Sequence, residues 1–209
     1  MHCVVLSPGP HPPFLVTPKM ENAVANKTFP AAADNKKSDK ETCVATGQPQ
    51  SSTIDRCDYG AEIENLDRLF QLILNEIDDD DDDERDTIVC FASDHGEMLG
   101  DHGDSGKTFP WQGSASVPMI CKGPGIREGG VVERPVATLD LAATFLDYAK
   151  SQKPKGMTST SLRSILENDD DSNYRKFVSS GLQSVAFNES LPQNSNKGYA
   201  WRMVVCVLI

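Results

Sequence analysis

The chain has no long hydrophobic run. Its longest uninterrupted apolar stretch is residues 203–209, seven residues, where an α-helix needs roughly 20 to cross a bilayer, so no helical membrane span is expected. It has no excess of positive charge either. Twenty Lys and Arg stand against 31 Asp and Glu, a net charge of −11, which argues against a general electrostatic binder of nucleic acid. Cysteine is present but unpatterned. Cys3, Cys43, Cys57, Cys90, Cys121 and Cys206 form no C-x-x-C and no Cys/His zinc spacing. Cys90 and Cys121 lie inside apolar runs, and free cysteine is among the most buried residue types, so isolated core or surface thiols are expected and the redox compartment stays open. A secretory h-region is also missing, because the apolar residues 3–6 run straight into Ser7-Pro8-Gly9-Pro10.

At 209 residues, 38% of them hydrophobic, the chain suits one main core with a large share of loop. Much of the charge is local: residues 78–84 contribute seven negatives, without which the balance of −11 becomes −4. No glycine or spaced ligand pattern would fold that run around a calcium ion, so it is expected to be a solvated loop. Residues 2–6 suit a short buried strand, broken by Ser-Pro-Gly-Pro-His-Pro-Pro at 7–13. Residues 19–56, rich in Lys, Asn, Ser, Thr and Ala, are expected to form an irregular or disordered insert. Asn26-Lys27-Thr28 and Asn188-Glu189-Ser190 fit the N-glycosylation sequon, a pattern that chance often produces.

Periodic order begins at Tyr59. Ile63, Leu66, Leu69, Phe70, Ile73, Leu74 and Ile77 line one face of an amphipathic helix. Residues 87–92, Thr-Ile-Val-Cys-Phe-Ala, form a continuous apolar run of the kind buried on both faces in a parallel sheet. Residues 117–122 repeat the pattern and stop at Gly123-Pro124-Gly125. Residues 135–150 predict a helix with Thr138 as N-cap. Helix, strand, strand, helix in this order favours an α/β sandwich. Beyond Lys150 the chain is polar and broken until a strand-like ending that starts at Trp201.

The densest group of chemically capable residues, Ser93-Asp94-His95-Gly96-Glu97-Met98-Leu99-Gly100-Asp101-His102-Gly103, follows the carboxyl end of the first buried strand, where ligand sites of open α/β sheets fall. Asp94 and His95 are adjacent, so both reach one ion only if the chain turns, which Gly96 permits. A carboxylate oxygen with an imidazole nitrogen makes a reasonable pair of divalent-metal ligands. Turn residues bonding their own backbone are the equal alternative.

This stretch, with Lys107, Trp111-Gln112-Gly113-Ser114, Val117-Pro118-Met119-Ile120 and Gly123-Pro124-Gly125 after it, resembles the C-terminal half of the catalytic domain of type I sulfatases, in the alkaline-phosphatase-like superfamily. Gly9-Pro10-His11-Pro12-Pro13-Phe14 is similar to that family's strand-end P-H-x-P-F loop, and residues 59–69 and 136–147 are similar to its flanking helices. The resemblance covers residues 3–18 and 58–166. It implies an α/β alkaline-phosphatase-like sandwich, a mostly parallel sheet with helices on both faces, here without its N-terminal half. Residues 1–150 would be a partial catalytic domain carrying the insert at 19–56, and 151–209 a C-terminal extension.

Carried over, the resemblance makes Asp94 and His95 ligands of a divalent metal, usually calcium, with manganese an alternative because His stands where many members have Asn. Lys107 would bind the sulfate. His11 would face the ester oxygen as hydrogen-bond donor or general acid, and His102 would line the pocket or close the turn. The implied activity is hydrolysis of a sulfuric ester, on a sulfated small molecule or glycan, in a secretory, lysosomal or extracellular setting. The alternatives are a phosphate or phosphonate ester hydrolase of the same superfamily and a non-catalytic remnant.

Departures from the family pattern bear on this. The family's C-x-P-S-R motif, whose Cys becomes formylglycine, is absent: no cysteine has Arg four residues on, and Ser52-Thr-Ile-Asp-Arg56 and Ser159-Thr-Ser-Leu-Arg163 lack the proline. The family's paired early aspartates are absent too, and Gln112 and Ser116 stand where it commonly has an acid and an arginine. Part of a sheet would leave apolar faces and an open strand edge, so poor stability of the isolated chain is expected.

Overall fold

The computed structural model describes residues 5, 7–33, 40–44, 56–78, 87–107, 109–168, 175–182 and 199–203. Most of the expected strand at 2–6, most of the acidic loop, Cys3, Cys206, Asn188 and the last six residues lie outside them. The chain divides into two compact units, one of Met1–Glu84 with Met98–Gly106, the other of Arg85–Glu97 with Lys107–Ile209.

In the first unit, helix α1 (Pro18–Val24) starts at Thr17, whose Oγ1 accepts the Met20 amide at 3.3 Å, with proline preset for the first helical position. Strands β1 (Thr28–Pro30) and β2 (Lys40–Thr42) pair antiparallel, Phe29 opposite Glu41. Within the described parts of 19–56, residues 19–33, 40–44 and 56, these elements stand where an irregular insert was expected, and the rest of that stretch lies outside the described residues. Its composition is poor in large apolar side chains, but a disulfide between Cys43 and Cys57 and the packing of Val24, Cys43 and Ala61 supply a small core of their own. The 23-residue helix α2 (Arg56–Asp78) spans the predicted amphipathic stretch. Gly60 lies on it because the Phe29 ring takes the place of a side chain: an added Cβ would stand 2.5 Å from that ring. Further along α2, Ile63, Leu69, Leu72 and Ile73 are exposed, so the periodicity locates the helix while its apolar stripe is only partly covered.

The second unit contains β3 (Val89–Ala92), α3 (Gln112–Ala115), β4 (Met119–Lys122), α4 (Asp140–Tyr148), α5 (Arg163–Asn168), β5 (Val178–Leu182) and β6 (Tyr199–Met203). The strand β6 finds its partner upstream, with Val178 opposite Met203. β3 and β4 are antiparallel in the register Cys90↔Cys121 and Phe91↔Ile120. A mostly parallel sheet was the expectation, yet the pairs β1–β2, β3–β4 and β5–β6 are all antiparallel. A continuous apolar run reports burial and not strand direction, and the helix between β3 and β4 is the four-residue α3, about one turn long and too short to carry the chain along the sheet for a parallel return. Nor are these strands buried on both faces: Met119 and Cys121 point into the core, while Phe91 and Ile120 are exposed.

Isolated thiols are corrected too. Cys43 bonds Cys57, and Cys90 bonds Cys121. Their sequence separations of 14 and 31 residues carry no pairing signal. The antiparallel register sets Cys90 directly across from Cys121, with 4.2 Å between their Cα atoms, close to the separation of a directly opposed strand pair.

The core of this unit joins Met119 and Cys121 to Val132, Val136, Leu162, Ile165, Leu166 and Val178. At its centre is Asp140, with no exposed surface. Its Oδ2 accepts the Ala137 amide at 2.9 Å; its Oδ1 accepts the Thr160 amide at 2.9 Å and the Arg175 guanidinium at 2.5 Å. Thr144, also fully buried, donates its hydroxyl to the Asp140 carbonyl and accepts the Leu162 amide. Thr138 is therefore not the N-cap of α4. That position falls to Leu139, which makes no side-chain cap, and the Asp140 carboxylate secures the preceding turn instead.

Asp140→Ala strands two buried amides and a guanidinium at once, and is expected to lower unfolding free energy by about 3–5 kcal/mol, read as a shift in the urea midpoint. A second expectation concerns Glu62 on α2, whose Oε1 accepts the Leu15 amide at 2.9 Å. Burial pushes its carboxyl above the usual range, with the Leu15 hydrogen bond opposing. The native state then holds a proton that the unfolded chain has released, so stability falls as pH rises from about 4.5 through the raised native value. Glu62→Gln keeps the acceptor and removes the charge; it should raise the melting temperature at pH 7 relative to the parent and change it little at pH 4.

Candidate active site

The end of β3 passes directly into Ser93-Asp94-His95-Gly96, and the turn there is built from its own polar atoms. The Ser93 hydroxyl donates to the His95 carbonyl at 2.7 Å, and the His95 amide donates to Asp94 Oδ1 at 2.9 Å. The Gly96 amide donates to the Ser114 carbonyl at 2.7 Å. Gly96 is needed here for close approach and not for an unusual φ: a Cβ on it would stand 2.1 Å from the Gly113 carbonyl oxygen. The strand end is thus clamped to α3, which orients the two residues before the clamp.

The ring of His95 is oriented by the same backbone. Its Nδ1 lies 3.0 Å from the Gly96 carbonyl oxygen, an atom that can only accept, so the bond requires the proton on Nδ1. In the neutral ring Nε2 then carries a lone pair, and it faces Asp94 Oδ2 at 3.4 Å. Two electron-pair donors face each other across a gap that a proton or a cation satisfies. The Asp94 side chain is 83% exposed and open to an incoming ion. Two donors are a fraction of the six to eight that calcium takes, and no group of three or more His, Cys, Asp or Glu converges as a metal site among the described residues. Asp94 and His95 therefore suit a metal as part of a ligand set. Of the two sequence alternatives, the turn hydrogen bonds are observed directly, and the same residues leave Asp94 Oδ2 and His95 Nε2 facing each other.

Lys107 belongs to this unit and is half-buried. His11 and His102 belong to the other unit. His11 is exposed, its Nδ1 donating to the Pro12 carbonyl at 2.8 Å. Its loop is held by Phe14, which packs edge-on against Tyr59 of α2 at 5.6 Å between ring centres, and by the Leu15–Glu62 hydrogen bond. His102 is exposed in a tight turn at φ +57°, between the left-handed Gly100 and Gly103. Of its two sequence readings, turn closure is the one that its backbone displays.

Asp101 next to it was missed as an anchor: its Oδ1 accepts the Ala33 amide at 2.7 Å and pairs with Arg56 at 2.5 Å. Nothing in residue spacing connects positions 33, 56 and 101. Ser93 and Gly96 were likewise visible as motif members, but their bonds to backbone were not.

A sulfatase family model matches residues 3–151. The chain belongs to the sulfatase family. Similar proteins include the extracellular sulfatase SULF-1 homolog of Drosophila melanogaster, 33% identical over 105 residues, covering 50% of this chain and 9% of that protein. An arylsulfatase of Clostridium perfringens is 34% identical over 96 residues, 44% of this chain and 20% of its own length. Arylsulfatase K of Xenopus laevis is 30% identical over 139 residues, 66% and 26% respectively. This sulfatase-family chain thus spans about a tenth to a quarter of the curated relatives it matches.

Among solved structures, a protein in complex with its substrate D-glucosamine-2-N,6-O-disulfate matches with a TM-score of 0.59 and 26% identity, over 71% of this chain and 29% of that one. The phosphonate monoester hydrolase of Silicibacter pomeroyi matches with a TM-score of 0.60 and 26% identity, over 81% and 34%. The expected class holds: the fold is mixed α/β, of the alkaline-phosphatase-like superfamily.

Gly96→Ala is expected to push the 94–96 turn off α3 and cost about 1–3 kcal/mol. A thermal melt and a near-ultraviolet spectrum sensitive to Trp111 would both change; an unaltered melt would mean that the close approach at Gly113 is not structural.

Proposed function

We propose that this chain is the part of a sulfuric ester hydrolase that supplies one side of the metal site and the sulfate-binding lysine. The observation that carries the proposal is the convergence of Asp94 Oδ2 and His95 Nε2 at a strand end in a chain of the sulfatase family. Asp94 and His95 would hold a divalent cation, calcium or manganese, which when bound adds positive charge beside the ester's anionic oxygens. By resemblance to the family, Lys107 would bind the sulfate, its ammonium charge offsetting the negative charge that builds up as the ester is cleaved. By resemblance to the family's P-H-x-P-F loop, His11 would serve as hydrogen-bond donor or general acid to the departing alcohol. The substrate class is a sulfated small molecule or glycan, in keeping with the relatives named for aryl sulfates and the neighbour solved with a disulfated glucosamine.

A nucleophile does not fit onto these residues. No cysteine or serine stands in a C-x-P-S-R or S-x-P-S-R context, so no nucleophilic step is assigned to this chain. A second reading, hydrolysis of a phosphonate or phosphate ester, is favoured by the solved phosphonate monoester hydrolase, whose match covers 81% of the chain. An Asp-His metal pair serves that chemistry equally well.

A chimaera distinguishes the two. Replacing the matched segment of the Clostridium perfringens arylsulfatase with the corresponding residues of this chain should retain hydrolysis of an aryl sulfate. Lys107→Ala and Asp94→Ala in that background should each lower kcat/KM about 100-fold or more, with circular dichroism unchanged. Loss of sulfate turnover with gain of phosphonate turnover would favour the second reading, and a folded chimaera inactive on both would overturn the proposal.

A further inference from the structure

The sequon Asn26-Lys27-Thr28 has no part in that site, and its surroundings give it one of its own. All three residues are exposed. Asn26 follows the end of α1 in the left-handed region, at φ +66°, a position that asparagine accepts more readily than most residues. The turn is tied to the residue after β2: the Asn26 amide donates to the Cys43 carbonyl at 3.0 Å, and the Cys43 amide returns to the Lys27 carbonyl at 3.0 Å. The residue itself is exposed. The turn thus engages the Asn26 amide and leaves the residue at the surface. Thr28, two residues on, stands exposed on β1 opposite Thr42.

The second observation is chemical. Cys43, bonded by those two hydrogen bonds to the sequon, is disulfide-linked to Cys57, and Cys90 is linked to Cys121. Disulfides form and persist in oxidising compartments, chiefly the secretory route, which is where asparagine sequons are modified. The sequon alone is a weak signal; here it sits at the surface, on a hairpin that a disulfide fastens to α2.

We propose that Asn26 is an N-glycosylation site and that the chain matures in the secretory route, independently of the sulfatase reading. The co-reactant is a lipid-pyrophosphate-linked oligosaccharide. The Asn26 Nδ2 forms a bond to C1 of the terminal N-acetylglucosamine; the C1–O bond to the pyrophosphate breaks and its electron pair leaves with the lipid pyrophosphate. Nδ2 gives up one proton to a base or to solvent, and no oxidation is involved. The glycan would cover the outer side of the β1–β2 hairpin, where Val44 is exposed.

The test expresses the full chain behind a cleavable secretory leader in animal cells and examines cell-retained and secreted protein together, because transfer precedes secretion. One increment in mass, removable by peptide N-glycanase, is expected. It should vanish in Asn26→Gln and in Thr28→Ala, and persist in Thr28→Ser and in Asn188→Gln. Release in heavy-oxygen water should mark position 26. An unmodified Asn26 peptide from either fraction, or an increment that survives Asn26→Gln and disappears only in Asn188→Gln, would overturn the proposal.

Discussion

The buried carboxylate of Asp140 organises the larger unit. A charge with no exposed surface is tolerable only when fully paired, and Asp140 meets that demand by gathering donors from three separate segments: the Ala137 amide, the Thr160 amide and the Arg175 guanidinium. The hydroxyl of Thr144 continues the arrangement one turn later, linking the Asp140 carbonyl to the Leu162 amide. Together these bonds fix where the 160–166 segment lies on α4, so that Leu162 and Ile165 fall on Val136 and Met119. β4 is thereby seated on a core, β3 is paired to β4, and the Asp94–His95 turn is the end of β3. The candidate site thus lies at the far end of a chain of polar constraints that begins at Asp140.

The candidate site itself is held by backbone more than by side chains. Gly96 touches the backbone of α3 at a distance that admits no Cβ, and the Gly96 carbonyl sets the tautomer of His95. The outcome is a carboxylate oxygen and an imidazole lone pair facing each other at 3.4 Å. In the other unit, the His11 loop is fastened to α2 through Phe14 and Leu15, and the His102 turn is fastened through Asp101 to Arg56 and Ala33. In the first unit, the candidate residues His11 and His102 are held by neighbours, Phe14, Leu15 and Asp101, that the family reading gives no chemical role.

Much of this was legible in particular stretches. The periodicity from Ile63 to Ile77 located α2, because a 3.6-residue repeat has one structural meaning. The strand ends at 92 and 122 followed from apolar runs stopped by polar or glycine residues. The Asp94-His95 motif and its setting pointed to the family that the match over residues 3–151 bears out. The failures share a cause. Strand direction, the two disulfides, the cap of α4 and the small core within 19–56 all depend on pairs distant in sequence. Cys43 and Cys57 are joined because a hairpin folds onto the start of α2, and Asp140 caps its turn because Thr160 and Arg175 arrive from 20 and 35 residues away.

By itself, then, the sequence determined the class of the protein, the identity of its candidate ligands and the helix and strand that precede them, because these rest on local period, turn chemistry and a contiguous motif. Only the tertiary structure decided which way the strands pair, which cysteines meet, which nitrogen of His95 is turned toward Asp94, and which carboxylate is buried to hold the rest. Those outcomes are set by the distance between groups that the chain brings together only on folding, and residue spacing does not encode that distance.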